Sequence, residues 1–274
     1  MRIGLLATLR DETPALPRFF SLLEELEADS RVERLFCSFY ENDSSDDTPE
    51  CLAAWLRDRP GVLQSERLGS PRLRGREISR TMRMAEARNK ALAGFADECL
   101  DWLVVIDADL YAKSCHVWQL IEVLQRDPGV AMACASALQN LPDIFGRSPW
   151  SYYDSFALID QGGRQGITGA RVPLWDLADR AAWMAGRPVS VRSAFGGIAV
   201  LPMALPQRLQ LRWQGGQGCE HWAFCLGAGQ AGLVLACPQV TPLVIHEDDT
   251  IAWHPTYPDR CRQQLKSYWH HASM

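Results

Sequence analysis

The chain has 274 residues, 47% of them hydrophobic, with 28 basic and 33 acidic side chains and a net charge of −5. That length supports a sizeable buried core in an ordinary globular balance, while the acidic excess argues against general nucleic-acid binding, which needs surplus Lys and Arg. No apolar run reaches the roughly 18 residues of a spanning helix, and the first run stops at Leu9 before charge, unlike a signal peptide, so a cytoplasmic protein is expected.

Arg2 to Leu9 reads as a first strand. After Pro14, apolar Leu16, Phe19, Phe20, Leu23 and Leu26 recur at helical spacing. RLFCSFY, residues 34–40, reads as a second strand; Thr48-Pro49 reads as an N-cap with Pro at the first helical position, leading into Leu52, Trp55 and Leu56. GVLQSERL is a short strand, Glu77 to Leu100 is helical with few breakers, and Trp102 to Ile106 is an apolar strand. Val117 to Leu124 predicts a helix and Val130 to Ala135 a strand. This repeated alternation predicts a mostly parallel sheet covered on both faces, with ligands at the carboxyl ends of its strands.

The second half is less regular. It holds a Pro/Gly-rich stretch near Leu141 to Trp150, a QGGRQGITGA loop, a helix around Leu174 to Ala185, then SAFGGIAVLP and the glycine-bounded QGGQGCEHWAFCLGAGQAG. No repeat or linker divides the chain. One domain over residues 1–274 is expected, with a nucleotide-binding half to about residue 110, a substrate-shaping half to about 250 and a tail over 251–274. Nine cysteines without a CxxC pair, most inside apolar runs (Cys37, Cys134, Cys225, Cys237), read as small buried hydrophobes rather than zinc ligands.

Three constellations could carry chemistry. VVIDADLYA, residues 104–112, ends an apolar strand in Asp107 and Asp109, which their two-residue spacing puts on one side. Two carboxylates there suit a hard cation bearing a diphosphate; the bland reading has one aspartate capping the next helix and the other solvated. SFYENDSSDDT, residues 38–48, ends a strand in Glu41, which can accept hydrogen bonds from a base or ribose. Ordinary turn chemistry explains the rest of that stretch. RLRGREISRTMRMAEARNKAL, residues 72–92, concentrates Arg72, Arg74, Arg76, Arg80, Arg83 and Arg88. Arg76, Arg80 and Arg83 would share a helix face, suited to phosphate or simply to solvent.

In order and spacing, FYENDSSDDT, EARNKAL and WLVVIDADL resemble the nucleotide-sugar-binding half of a GT-A glycosyltransferase. With MACASALQ, YYDSFALIDQGG, RSAFGGIAVLP and CEHWAFCLGAGQAG added, the chain resembles the cryptococcal capsule-associated mannosyltransferase family over residues 3 to 246. The resemblance implies a GT-A α/β/α sandwich with a mostly parallel central sheet. It also implies metal-dependent transfer of a sugar, such as mannose, from a nucleotide-sugar donor to a glycan or lipid-linked acceptor. Asp107 and Asp109 would hold Mn²⁺ or Mg²⁺ against the diphosphate. Thr8, Arg10 and Glu41 would line the base and ribose pocket, Arg88 would face the nucleotide or phosphates, and Gly196 and Gly197 would let the backbone pass close to the donor sugar.

Further along, the resemblance implies that Glu220 faces the acceptor, as general base in an inverting enzyme or as a positioning group in a retaining one. The alternative is that it only complements a helix N-terminus. Trp222 offers a flat face for sugar stacking, and His246, ending another strand, would complete the metal site. The basic, aromatic tail either packs as a terminal helix or touches an anionic membrane surface. Two rival readings start from the same acids. One is a haloacid-dehalogenase-like phosphatase using Asp107 and Asp109; the other is a sugar- or nucleotide-binding protein without turnover.

Overall fold

The computed structural model describes residues 1–73 and 76–245. Strands β1 (Arg2–Leu9), β2 (Arg34–Asn42), β3 (Gly61–Glu66), β4 (Trp102–Ile106) and β5 (Val130–Cys134) alternate with helices α1 (Leu16–Glu27), α2 (Thr48–Leu56), α3 (Ile78–Ala93) and α4 (Ser114–Arg126). There follow β6 (Leu138–Gln139), β7 (Ser151–Tyr152), β8 (Ile159–Asp160), α5 (Leu177–Met184), β9 (Val189–Ser193) and β10 (Ile198–Pro202). The last described elements are α6 (Ala204–Arg208), α7 (His221–Ala228), β11 (Leu233–Ala236) and β12 (Leu243–Val244).

Nine strands form one sheet in the order β3-β2-β1-β4-β10-β5-β11-β9-β8. The β3-β2-β1-β4 half is parallel, as the alternation of elements predicts. Beyond β4 the sheet is mixed, because β10 runs antiparallel between β4 and β5. The chain reaches β10 through an irregular excursion instead of a covering helix, so the crossover that keeps neighbours parallel does not bind it. Alternation along β1 sends Ile3, Leu5 and Ala7 to one face, under α1, α2 and α4, and Leu6 to the other, under α3 and α7. Cys37, Cys134, Cys225 and Cys237 are buried free thiols. No described helix is long and apolar enough to cross a membrane.

Several boundaries differ from the sequence reading. Helix α3 stops at Ala93 rather than Leu100, because Gly94 closes it on the Ala91 and Leu92 carbonyls and Phe95 turns into the core. Strand β2 runs on to Asn42 and draws Glu41 into the sheet. Thr48 begins α2, but its hydroxyl accepts the Glu12 N–H (2.8 Å) instead of capping the helix. Helix α5 starts at Leu177, where the Asp176 carboxylate accepts the Ala178 and Asp179 N–H groups.

One glycine shows how tightly β10 is placed. At Gly196 (φ +59°) an added Cβ would sit 2.0 Å from the Ala135 carbonyl oxygen, whereas at Gly146 (φ +66°) nothing lies within 4 Å. Gly146→Ala should cost about 1–2 kcal/mol from the left-handed backbone alone. Gly196→Ala should cost about 3 kcal/mol or more, since β10 must also move. Urea unfolding of both variants measures the difference.

Candidate active site

Strands β1, β2 and β4 run parallel and end together, so the residues that follow them emerge on one edge of the sheet. There they wall a cleft of about 240 Å³. Thr8, Arg10 and Glu12 come from β1 and its exit, Asn42 from β2, and Asp107 and Asp109 from the exit of β4. The lining is also basic: Arg72 comes from the preceding loop, where it pairs with Asp11, and Arg80, Arg83 and Arg88 come from α3.

Arg88 ties the site together. Thr81, Ala85, Arg88 and Leu92 lie at helical spacing on the buried stripe of α3, so the amphipathic pattern itself turns a cation inward. Arg88 is 3% exposed. Its Nη1 donates to Glu220 Oε1 (2.8 Å), its Nη2 donates to Asp107 Oδ1 (3.2 Å), and its guanidinium lies over the Phe195 ring. Removing one partner of a buried pair of this kind costs about 3–5 kcal/mol, because the other charge is left uncompensated.

Glu220 occupies the N-cap position of α7, yet its side chain makes no bond to the helix N–H groups. It is buried, and it turns to Arg88 instead. Beside it, His221 stacks on Phe195 with ring centroids 4.0 Å apart. The Trp213 indole N–H, which can only donate, gives its hydrogen bond to His221 Nδ1 (3.2 Å), so the ring proton sits on Nε2. Burial, with the charges of Arg88 and Arg80, holds the His221 pKa well below the usual imidazole range, and the ring is neutral.

Carboxylates crowd this edge. Burial holds Asp107 up to about 7, with Arg88 pulling it down and Asp109, Asp154 and Glu220 pushing it up. Burial raises Asp154 to about 6, although it accepts the Ala157 and Gly196 N–H groups (3.2 Å each). Glu12 rises to about 8, first through burial and then through Asp109 and Asp107.

Of the residues expected from the sequence, Thr8, Arg10, Arg88, Asp107 and Asp109 meet in the cleft. Glu41 does not line it: Oε1 accepts the Ser44 N–H (2.8 Å) and Oε2 the Ser65 hydroxyl, so this acid fixes a turn and Asn42 takes the lining position. Gly196 and Gly197 pack against Ala135 and Leu110, and the Gly197 carbonyl accepts the Asp107 N–H (3.0 Å). They bring β10 onto its neighbours, and the space a Cβ would take at each is filled by protein. Trp222 is committed to packing, with its ring 6.0 Å from that of Phe156 and its indole N–H on the Phe156 carbonyl (3.0 Å). His246 and Arg74 lie outside the described residues.

Two acids escaped the sequence reading. Glu12 follows β1 at the carboxyl edge where ligands bind, a usable signal. Asp154 sits in irregular chain inside the quoted YYDSFALIDQGG and carries no local mark of its role.

Among the described residues no three His, Cys, Asp or Glu side chains form a ready cation cage. A hard cation bound with a diphosphate needs only one or two protein carboxylates, since phosphate oxygens and water complete its shell. Asp107 and Asp109 fit that requirement, and a cation would relieve the repulsion that raises Glu12.

A sheet with this parallel half, closed by an antiparallel strand beside an Asp-x-Asp edge, is the GT-A fold. The chain belongs to the cryptococcal mannosyltransferase 1 family, a family of glycosyltransferases, whose profile matches residues 2–226. The haloacid-dehalogenase-like alternative therefore falls away. Among curated proteins no sequence relative matches.

Solved structures share the fold. The mannosyltransferase PcManGT from Pyrobaculum calidifontis, in complex with GDP-Man and Mn²⁺, is 15% identical with a TM-score of 0.55, over 99% of this chain and 64% of that one. GalNAc-T7 with UDP, GalNAc and Mn²⁺ is 13% identical with a TM-score of 0.55, over 97% of this chain and 48% of that one. A mycobacterial protein is 15% identical with a TM-score of 0.52, over 97% and 74%. The chain thus spans under two thirds of the length of both named transferases, 64% and 48%.

The raised carboxyls give stability a pH signature. Asp107, Asp154 and Glu12 bind protons in the folded state at pH values where the unfolded chain has already lost them. Stability of the metal-free protein should therefore fall as pH rises from about 4 to 8, with the Asp154 share already lost by about pH 6. Melting temperatures from pH 4 to 8, with Asp154→Asn flattening the slope below about pH 6, check the sign.

Proposed function

We propose that the protein is a metal-dependent glycosyltransferase that moves a hexose, mannose first among candidates, from a nucleoside-diphosphate sugar to a glycan or lipid-linked hydroxyl. The observation that carries this reading is the Asp107–Arg88–Glu220 bridge at a cleft lined also by Arg72, Arg80 and Arg83. The family description, and a structural neighbour holding GDP-Man and Mn²⁺, support GDP-mannose as the first donor to test. The UDP held by GalNAc-T7 makes UDP-sugars the second.

Asp107 and Asp109 would hold the divalent cation. When bound, that cation neutralises charge growing on the departing diphosphate. Arg72, Arg80 and Arg83, which line the same cleft, would offer planar forks to the phosphate oxygens. Arg88 fixes the orientation of Asp107. Glu220, buried and paired, orients Arg88 rather than meeting the acceptor itself.

Thermal-shift titration with GDP-mannose and UDP-sugars, each with Mn²⁺ or chelator, tests the reading. A donor at about 100 times its Kd should add about 2.7 kcal/mol of stability. Asp107→Asn and Asp109→Asn should each abolish the metal-dependent part of the shift. Glu220→Gln should keep donor binding and lower turnover about a hundredfold, by letting Arg88 wander. Absence of any nucleotide-dependent shift would remove the proposal's support, and tight donor binding without hydrolysis or transfer would identify a binding protein instead.

A further inference from the structure

Between α6 and α7 the chain runs without helix or strand from Leu211 to Cys219, and this strap delivers Glu220. It does not simply span the gap. It lies on α3, the same helix that carries Arg88. Asn89 donates Nδ2–H to the Trp213 carbonyl (2.9 Å) and accepts the Trp213 N–H at Oδ1 (3.0 Å), closing a two-bond clamp on one residue of the strap. Two turns earlier on α3, the Thr81 hydroxyl accepts the Gly216 N–H (3.1 Å). Between these points Gly215 rests on the helix backbone so closely that an added Cβ would lie 2.2 Å from the Met82 nitrogen.

The clamp reaches the site through Trp213. That indole is buried, stacks on Phe224 of α7 with centroids 3.9 Å apart, and donates to His221 Nδ1. His221 Nε2 lies 3.9 Å from Glu220 Oε1, the atom that Arg88 holds at 2.8 Å. Neighbours on one helix therefore act on the two ends of one contact: Arg88 grips the Glu220 side chain, and Asn89 sets the main chain that leads to it.

We infer that Asn89 is a positioning residue. It fixes the height of the strap above α3, and with it the distance at which Glu220 meets Arg88 and Arg88 meets Asp107. No bond to substrate is required of it. The inference rests on the proposed transfer reading for its catalytic consequence, though not for the clamp itself. An asparagine is suited to this task because its amide offers a donor and an acceptor side by side, matching the N–H and C=O of a single residue. Aspartate keeps only the acceptor, and alanine keeps neither.

The test uses the full-length protein with GDP-mannose and Mn²⁺, comparing Asn89→Ala and Asn89→Asp with wild type. Displacement of a site group through its support should lower kcat about tenfold or more. The donor KM should change less than about twofold, because Arg72, Arg80 and Arg83 keep their places, and Asn89→Asp should fall between alanine and wild type. Unchanged kcat, or a loss matched by KM or by the fraction unfolded, overturns the inference. Should wild type bind and turn over no nucleotide sugar, the transfer reading fails by itself. Amide exchange then still reads the clamp: faster exchange at Trp213 and Gly216 in Asn89→Ala, with a shifted His221 ring signal, supports it, and unaltered exchange overturns it.

Discussion

A guanidinium cannot shed its proton under physiological conditions, so once Arg88 is buried its charge must be answered inside the protein. That constraint organises the site. The answer comes from two carboxylates far apart in sequence, Asp107 at the exit of β4 and Glu220 at the entry of α7. Helix α3 is thereby held to both halves of the fold at one point. Phe195 and His221 stack around the same contact, and the strap from α6 to α7 has one acceptable height.

The same edge carries more negative charge than Arg88 can balance. Asp109, Asp154 and Glu12 gather near Asp107, and burial with mutual repulsion raises three of these acids. Arg72, Arg80 and Arg83 line the same cleft. A cleft that carries both acids and arginines is poorly suited to an apolar ligand. It suits a diphosphate carrying its own cation, whose metal meets the carboxylates while its oxygens meet the guanidinium groups. Backbone geometry keeps the acids in place: the Gly197 carbonyl holds the Asp107 N–H, and Asp154 holds the Gly196 N–H, so the glycine pair anchors two of the acids at once.

Much of the first half was legible because its signals are local. Apolar spacing in Leu16 to Leu26 and the run Trp102 to Ile106 declare helix and strand within a few residues, and the alternation of such elements dictates parallel neighbours. The emergence of Asp107 and Asp109 at the carboxyl edge follows directly, whereas Arg88, expected to face the nucleotide or phosphates, is turned inward to Glu220 and Asp107. Where the local signal was ambiguous, the reading slipped. Glu41 looked like a ligand group at a strand end, but β2 runs on to Asn42, and the Glu41 carboxylate accepts the Ser44 N–H and the hydroxyl of Ser65 on β3.

By itself, then, the sequence determined the strand–helix order and the sheet edge at which Asp107 and Asp109 emerge, because periodicity and chain direction act over one or two turns. Tertiary structure alone decided that β10 enters antiparallel, that Glu12 lines the cleft with Asp107 and Asp109, that Gly196 and Gly197 pack against Ala135 and Leu110, and that Glu220 is a buried partner of Arg88. Each of these depends on contacts between residues dozens of positions apart. Whether a carboxylate faces solvent, substrate or a guanidinium is set by which of those distant neighbours removes it from water.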